Sequence, residues 1–239
     1  MTIEKYFIKD DYVPNKEAVT RDEVSGKQYW SKSSIYSSYY YQFSVYQYAK
    51  KLIQEKRVEE VIDVGCGTGT KLALIHNDLP EVNFVGIDRK AAIDYCKKHY
   101  SFGNWYVDDI ENPDKSLGDI KAKLVICSDV IEHLLNPDLL LSYLKKKVTI
   151  DGYILLSTPE RDIMRGKSCT TSPNKFHIRE WNYEEFENYL LYSGFHIVEH
   201  FLQYQVRVGI NRMFLKIAIR RLISGKALKY NQVLLASVK

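Results

Sequence analysis

Acidic residues are missing from the end of the chain. From Arg207 onward there is no Asp or Glu, whereas Arg207, Arg212, Lys216, Arg220, Arg221, Lys226, Lys229 and Lys239 are basic. Over the whole sequence the excess is small, 34 Lys and Arg against 30 Asp and Glu, a net charge of +4. That does not by itself imply a nucleic-acid partner. The basic stretch reads as a solvated face, or as a surface for an anionic substrate, a membrane lipid or RNA. Cysteine is also scarce: Cys66, Cys96, Cys127 and Cys169 stand apart, with no CxxC pair. This argues against a disulfide framework or a thiolate zinc site. No apolar run approaches a membrane span, and the opening "MTIEKYFIKDDYV" holds no apolar signal region, so a cytoplasmic protein is expected. Internal repeats and low-complexity tracts are lacking too.

What is present is an ordinary globular composition: 239 residues, 45% hydrophobic and 27% charged. Residues 1 to about 30 read as an irregular arm. A tyrosine-dense segment follows and becomes a helix ending near Lys56; residues 1–56 are expected to form an arm and helical cap. Beyond it, short apolar runs alternate with helical patterns. Strands are expected at "VEEVIDV", "VNFVGID", "NWYVDD", "KLVICSD", "GYILLSTP", "HIVEHFLQYQV" and "NQVLLASVK". Helices are expected at "TKLALIHNDL", "AAIDYCKKHY", "IEHLLNPDLLLSYLKKKV" with a break at Pro137, "NYEEFENYLLYSGF" and "RMFLKIAIRRLIS". Such alternation means α/β architecture: one doubly wound, mostly parallel sheet with helices on both faces, over residues 57–239. The basic helix near 210–226 would be an insertion before the last strand. Its mixture of apolar and basic residues suits packing on its own domain, on a partner subunit or on a membrane surface.

Sheets of this kind bind ligands at the carboxyl ends of their strands. Asp63-Val64-Gly65-Cys66-Gly67-Thr68-Gly69 stands at one such end. Glycines let the backbone turn sharply and let a ligand approach closely, and the next helix offers free N–H groups. Asp88 follows Gly69 by 19 residues, at the end of the next strand, where an acid can bind a ribose diol. Dinucleotide enzymes use GxGxxG; here the spacing is GxGxG, with an acid before the first glycine. A carboxylate there suits a ligand with an ammonium group, such as the amino-acid moiety of S-adenosylmethionine.

"VIDVGCGTG" resembles the first motif of class I S-adenosylmethionine-dependent methyltransferases, a Rossmann-like family with a seven-stranded sheet. The similarity extends in order through "VGIDRK", "VDDIE", "LVICSDVIEHL" and "GYILLSTP", over roughly residues 60 to 160. The resemblance implies S-adenosylmethionine as cofactor. It places the methionine moiety on Asp63, Gly65, Cys66, Gly67 and Gly69, and the ribose on Asp88 with Arg89 beside it. The adenine falls on Asp108 or Asp109 with Ile110, and Ser128 and Asp129 close the site at the fourth strand. "DVIEHL" resembles O-methyltransferases of ubiquinone biosynthesis and methyltransferases of natural-product and glycan pathways.

The fourth strand ends in "SDVIEH". Methyl transfer to a hydroxyl requires a proton acceptor, and His133, with an ordinary pKa of about 6.5, is the expected general base. If helical, Asp129, Glu132 and His133 would share one face at i, i+3, i+4 spacing. Small-RNA 2′-O-methyltransferases place a Glu-x-x-Glu-His motif here with a later histidine on a divalent metal. That resemblance makes Asp129, Glu132, His133 and His177 candidate metal ligands, with Asp129 a shorter acid than the family's glutamate.

The leading expectation is O-methylation of a small-molecule or saccharide hydroxyl, including nucleotide-linked saccharides, in a biosynthetic pathway such as polysaccharide biosynthesis. The alternatives are a metal-dependent RNA 2′-O-methyltransferase and an N-methyltransferase acting on a sugar or other small molecule. The segment from Ser157 to Trp181 is expected to be a substrate loop, with Arg161, Arg165, Lys167 and Lys175 available to a phosphate on the acceptor. Oligomeric state is not encoded in any feature above.

Overall fold

The computed structural model describes residues 5–15, 40–113, 117, 120–207, 215, 218, 219, 222, 223 and 230–238. Its centre is a seven-stranded sheet: β1 (Glu60–Val64), β2 (Asn83–Asp88), β3 (Asn104–Val107), β4 (Ala122–Ser128), β5 (Val148–Pro159), β6 (Phe195–Tyr204) and β7 (Tyr230–Val238). The spatial order is β3-β2-β1-β4-β5-β7-β6. The first five strands run parallel, and β7 lies antiparallel between β5 and β6. The helices are α1 (Phe43–Lys56), α2 (Thr70–Asp78), α3 (Lys90–His99), α4 (Pro137–Lys147), α5 (Arg161–Arg165) and α6 (Tyr183–Tyr192).

The central strands are apolar at successive positions because both faces are covered. Side chains alternate across a strand. Ile62, Val64, Val125, Cys127, Ile154, Leu156 and Leu234 enter one core layer with α4, α6 and Tyr6, Ile8 and Tyr12 of the N-terminal segment. Val61, Leu124, Ile126, Leu155, Val233 and Leu235 enter the other, with Val45, Tyr46, Ala49, Leu52 and Ile53 of α1 and Leu72 and Ile75 of α2. The expected helix near Lys56 therefore covers one sheet face, while the arm before it crosses to the other.

Local chemistry sets the helix ends. Asn182 accepts from the Glu185 N–H while the Glu185 carboxylate accepts from the Asn182 N–H, a capping box that starts α6. Gly194, at φ 81°, follows the end of that helix. Pro137 occupies the first turn of α4, where its missing N–H costs nothing. This separates α4 from the single 3₁₀ turn Ile131–His133, as the proline suggested.

Residues 1–4 and 16–39 of the arm lie outside the described residues. So does most of the basic helix near 210–226; its described residues 215, 218, 219, 222 and 223 are helical. Among the described residues no helix is long and apolar enough to cross a membrane.

Candidate active site

Strand order reverses at β1, with β2 on one side and β4 on the other, so the loops after β1 and β4 diverge and open a crevice. The glycine turn forms one wall. Gly65, Gly67 and Gly69 all have positive φ, 81°, 58° and 66°, a region that other residues enter only with strain. Gly65 and Cys66 donate to the Ile87 carbonyl at 2.8 and 3.3 Å, and Gly69 donates to the Cys66 carbonyl at 3.1 Å. Trp105 of β3 supports the turn from beneath: a Cβ on Gly69 would lie 2.8 Å from its ring. The Cys66 thiol is buried and its pKa is pushed up by that burial, so it serves as packing and not as a nucleophile.

The acids of the turn differ in what they already hold. Asp88 accepts from the Gly67 N–H at 2.7 Å and from the Arg89 N–H at 2.7 Å, so it shapes the turn from the second strand. Asp108 is buried and accepts from the Tyr143 hydroxyl at 2.7 Å and the Asp109 N–H at 2.9 Å. Asp109 accepts only local bonds among the described residues, its carboxylate from the Glu111 N–H and its carbonyl from the Asn112 N–H, both at 3.0 Å, and lies at the surface. Of the two aspartates, Asp109 with the half-buried Ile110 beside it is the more accessible to an adenine. Asp63 is buried: Tyr46 donates its hydroxyl to Oδ2 at 2.8 Å, and among the described residues Oδ1 has no hydrogen-bond partner. Burial pushes the Asp63 pKa up to about 7, with the Tyr46 hydrogen bond and nearby Lys71 opposing the rise.

The loop after β4 forms the other wall. Asp129 leaves the strand at φ 53°. Its Oδ1 accepts from Ser157 Oγ at 2.8 Å and Asn231 Nδ2 at 2.6 Å, and its Oδ2 from Gln42 Nε2 at 2.9 Å. Ser128 Oγ bonds Ser157 Oγ at 2.7 Å. This corrects the expectation that Asp129 shares one helical face with Glu132 and His133. The left-handed backbone at Asp129 takes it out of the following 3₁₀ turn, and three neutral donors turn its carboxylate toward β5, β7 and α1.

Glu132, His133 and His177 do come together, each offering one ligand atom within 4.8 Å of the others. The Glu132 carbonyl accepts from the Ile178 N–H at 2.8 Å, and its carboxylate accepts from Thr158 Oγ1 at 3.0 Å. His133 directs Nδ1 at the Phe176 carbonyl at 2.6 Å, and its ring stands edge-on to His177 at 4.8 Å. His177 Nδ1 donates to Glu180 Oε1 at 2.6 Å, while Asn174 Nδ2 meets its Nε2 at 2.7 Å.

The Ser157–Trp181 segment is not the open basic loop that the sequence suggested. Arg161 is buried and grips Glu185 with two bonds of 2.6 and 2.9 Å. Arg165 grips Glu180 at 3.0 and 2.9 Å. Both guanidiniums are spent on this network and do not face an acceptor phosphate; Lys167 and Lys175 remain exposed. The N-terminal segment closes over it, with the Tyr12 hydroxyl accepting from the Glu180 N–H at 3.0 Å. Tyr46, Gln42, Lys71 and Asn231 were not marked by any motif, since each comes from a segment distant from the glycine turn or strand four, or sits at an ordinary helical position.

A family model described as "Methyltransferase domain" matches residues 39–214. The chain belongs to this methyltransferase domain family. No match is found among curated protein sequences. Among solved structures, the methyltransferase is similar to the plantazolicin methyltransferase BpumL, seen with a pentazolic desmethylPZN analog and SAH: 18% identity, 93% of this chain and 96% of that one, TM-score 0.65. It is similar to the plantazolicin methyltransferase BamL at 15% identity, 92% and 91% coverage and a TM-score of 0.60. A S-adenosylmethionine-dependent methyltransferase from Clostridium acetobutylicum aligns at 11% identity, 83% and 92% coverage and a TM-score of 0.57. These likenesses establish the shared fold, a Rossmann-like seven-stranded sheet.

Proposed function

We propose that this methyltransferase uses S-adenosylmethionine and transfers its methyl group to a hydroxyl of a small molecule or saccharide, with His133 as the general base. The glycine turn fits such a cofactor: a buried carboxylate oxygen of Asp63 lacks a donor, as an ammonium-binding site would. Bound S-adenosylmethionine supplies a methyl already activated on a sulfonium, so the protein's task is mainly to position the acceptor. Asp63 and the glycines hold the methionine moiety, Asp88 the ribose and Asp109 the adenine, while residues 1–56 act as arm and cap.

The observation that carries the acceptor side is the contact of His133 Nδ1 with the Phe176 carbonyl. A carbonyl oxygen only accepts, so Nδ1 carries the proton toward Phe176 at 2.6 Å, and in the neutral ring Nε2 then keeps its lone pair. That is the form a general base needs. Glu132 Oε1 lies 3.9 Å from Nε2. The desmethylPZN analog in the BpumL complex supports a small organic acceptor. A methyl-transfer screen over nucleotide sugars, quinone precursors and short RNAs tests this reading. An O-methyl product on a small molecule supports it, and a product only on nitrogen or only on RNA replaces it.

A second reading is favoured by the Glu132, His133, His177 cluster. Both imidazoles have Nδ1 committed to an acceptor, the orientation that metal-bound histidines need. A divalent metal on these three residues would polarise an acceptor hydroxyl, with Asn174 turning away from His177. Full activity in chelator, with no metal found by elemental analysis, removes it.

A further inference from the structure

The basic helix near 210–226 turns its apolar residues the wrong way for a globular protein. Its described residues are Leu215, Ala218, Ile219, Leu222 and Ile223. They stand at i, i+3, i+4, i+7 and i+8, the spacing of one apolar stripe, which ordinarily faces a core. Here Leu215 and Ile219 are exposed, and Leu222 and Ile223 are 83% and 81% exposed, so the stripe is not packed on its own domain. An exposed aliphatic stripe of this kind marks an interaction surface.

Charge selects what that surface meets. The sequence sets Lys216, Arg220 and Arg221 among the stripe residues, with Arg212 before them and Lys226 after them, and carries no Asp or Glu from Arg207 onward. A second copy meeting the first through this stripe would bring two acid-free basic segments together, and like charges oppose that. RNA would satisfy the basic residues but not the stripe, because bases stack on aromatic rings and the described stripe is wholly aliphatic. An anionic bilayer satisfies both: its acyl region takes the aliphatic side chains, and its headgroups take the ammonium and guanidinium groups.

We propose that this helix lies in the surface of an anionic membrane and holds the methyltransferase there as a peripheral protein. The contact uses two terms, burial of the stripe and attraction of the basic residues. Both are needed, because either one alone gives weak and reversible attachment.

Flotation of the full chain with vesicles tests it. One set is phosphatidylcholine alone, and the other contains phosphatidylglycerol as well. The wild type is expected to bind the anionic vesicles about tenfold or more tightly than the neutral ones, and to be released as salt is raised. Leu222→Glu with Ile223→Glu should abolish binding while circular dichroism and cofactor affinity stay unchanged, since both side chains are exposed. Leu222→Ser with Ile223→Ser serves as a second pair should the first fail to fold. Lys216→Gln with Arg220→Gln and Arg221→Gln should remove the preference for phosphatidylglycerol. No binding to either vesicle, equal binding to both, or undiminished binding in the stripe variants overturns the proposal. So does a wild-type dimer, seen by light scattering, that the stripe variants dissociate, which would make a second copy the occupant. A gel shift with short RNA that the stripe variants lose, without vesicle binding, overturns it in favour of RNA.

Discussion

Tyr46 of α1 donates its hydroxyl to Oδ2 of Asp63 at the end of β1, at 2.8 Å, and leaves Oδ1 of the same carboxylate buried with no partner among the described residues. The helical cap thereby reaches through one core layer to the acid that opens the glycine turn. Burial holds the Asp63 pKa at about 7 against the help of Tyr46 and Lys71, so near neutral pH the acid is divided between its two forms.

A ligand with an ammonium group selects the ionised form. Cofactor affinity is therefore expected to fall about tenfold per pH unit below about 7 and to level off above it. Asp63→Asn should bind weakly with little of this pH dependence, as read by calorimetry at pH 5.5, 6.5 and 8. Stability runs the other way. The folded pKa lies above the ordinary carboxyl value of 3.8, so the stability this group contributes is complete below that value. It is lost as pH rises toward 7. At pH 8, Asp63→Asn should melt no lower than the wild type.

His133→Ala should lower kcat by about 10²- to 10⁴-fold, the usual weight of a general base, while cofactor affinity stays within about twofold. The imidazole meets the Phe176 carbonyl and the His177 ring. Unchanged turnover would remove His133 from the mechanism.

Glu180 is the hinge of the buried network under this site. Burial opposes its charge, but hydrogen bonds from His177 and Arg165 prevail and hold its pKa at about 2. Because this value is depressed, the stability it confers is present above the ordinary 4.5 and is lost as pH falls from there toward 2. Glu180→Gln leaves Arg165 and His177 without their carboxylate and should cost about 3 kcal/mol in urea denaturation at pH 7.

A Cβ on Gly65 would lie 2.3 Å from Cγ2 of Val130, across the crevice from one loop to the other. Gly65→Ala should lose about 1–2 kcal/mol to its left-handed backbone and about 1–3 kcal/mol to the clash. Val130→Ala relieves only the clash. The double variant should therefore be more stable than the two single losses add up to, by about 1 kcal/mol in a double-mutant cycle.

Periodicity and turn chemistry made most of the fold legible. The strands were readable because apolar runs ended at Gly, Asp and Ser, and Pro137 and Gly194 marked helix ends. The glycine turn and Asp88 were readable because their spacing is local to one strand-turn-helix unit. The fate of Asp129 was not: its positive φ and its partners Gln42 and Asn231 come from opposite ends of the chain. Arg161 and Arg165 looked solvated for a similar reason. The carboxylates that bury them, Glu185 and Glu180, stand 24 and 15 residues downstream, beyond any helical spacing. Which of the many tyrosines would reach Asp63 was equally hidden, since composition alone does not rank them.

The most direct test of the account is titration calorimetry of S-adenosylhomocysteine into the full chain and into Asp88→Ala. The account predicts saturable binding at one site in the wild type, weakened about tenfold or more when the second-strand carboxylate is removed. A wild type that is folded by circular dichroism yet gives no saturable binding would contradict it.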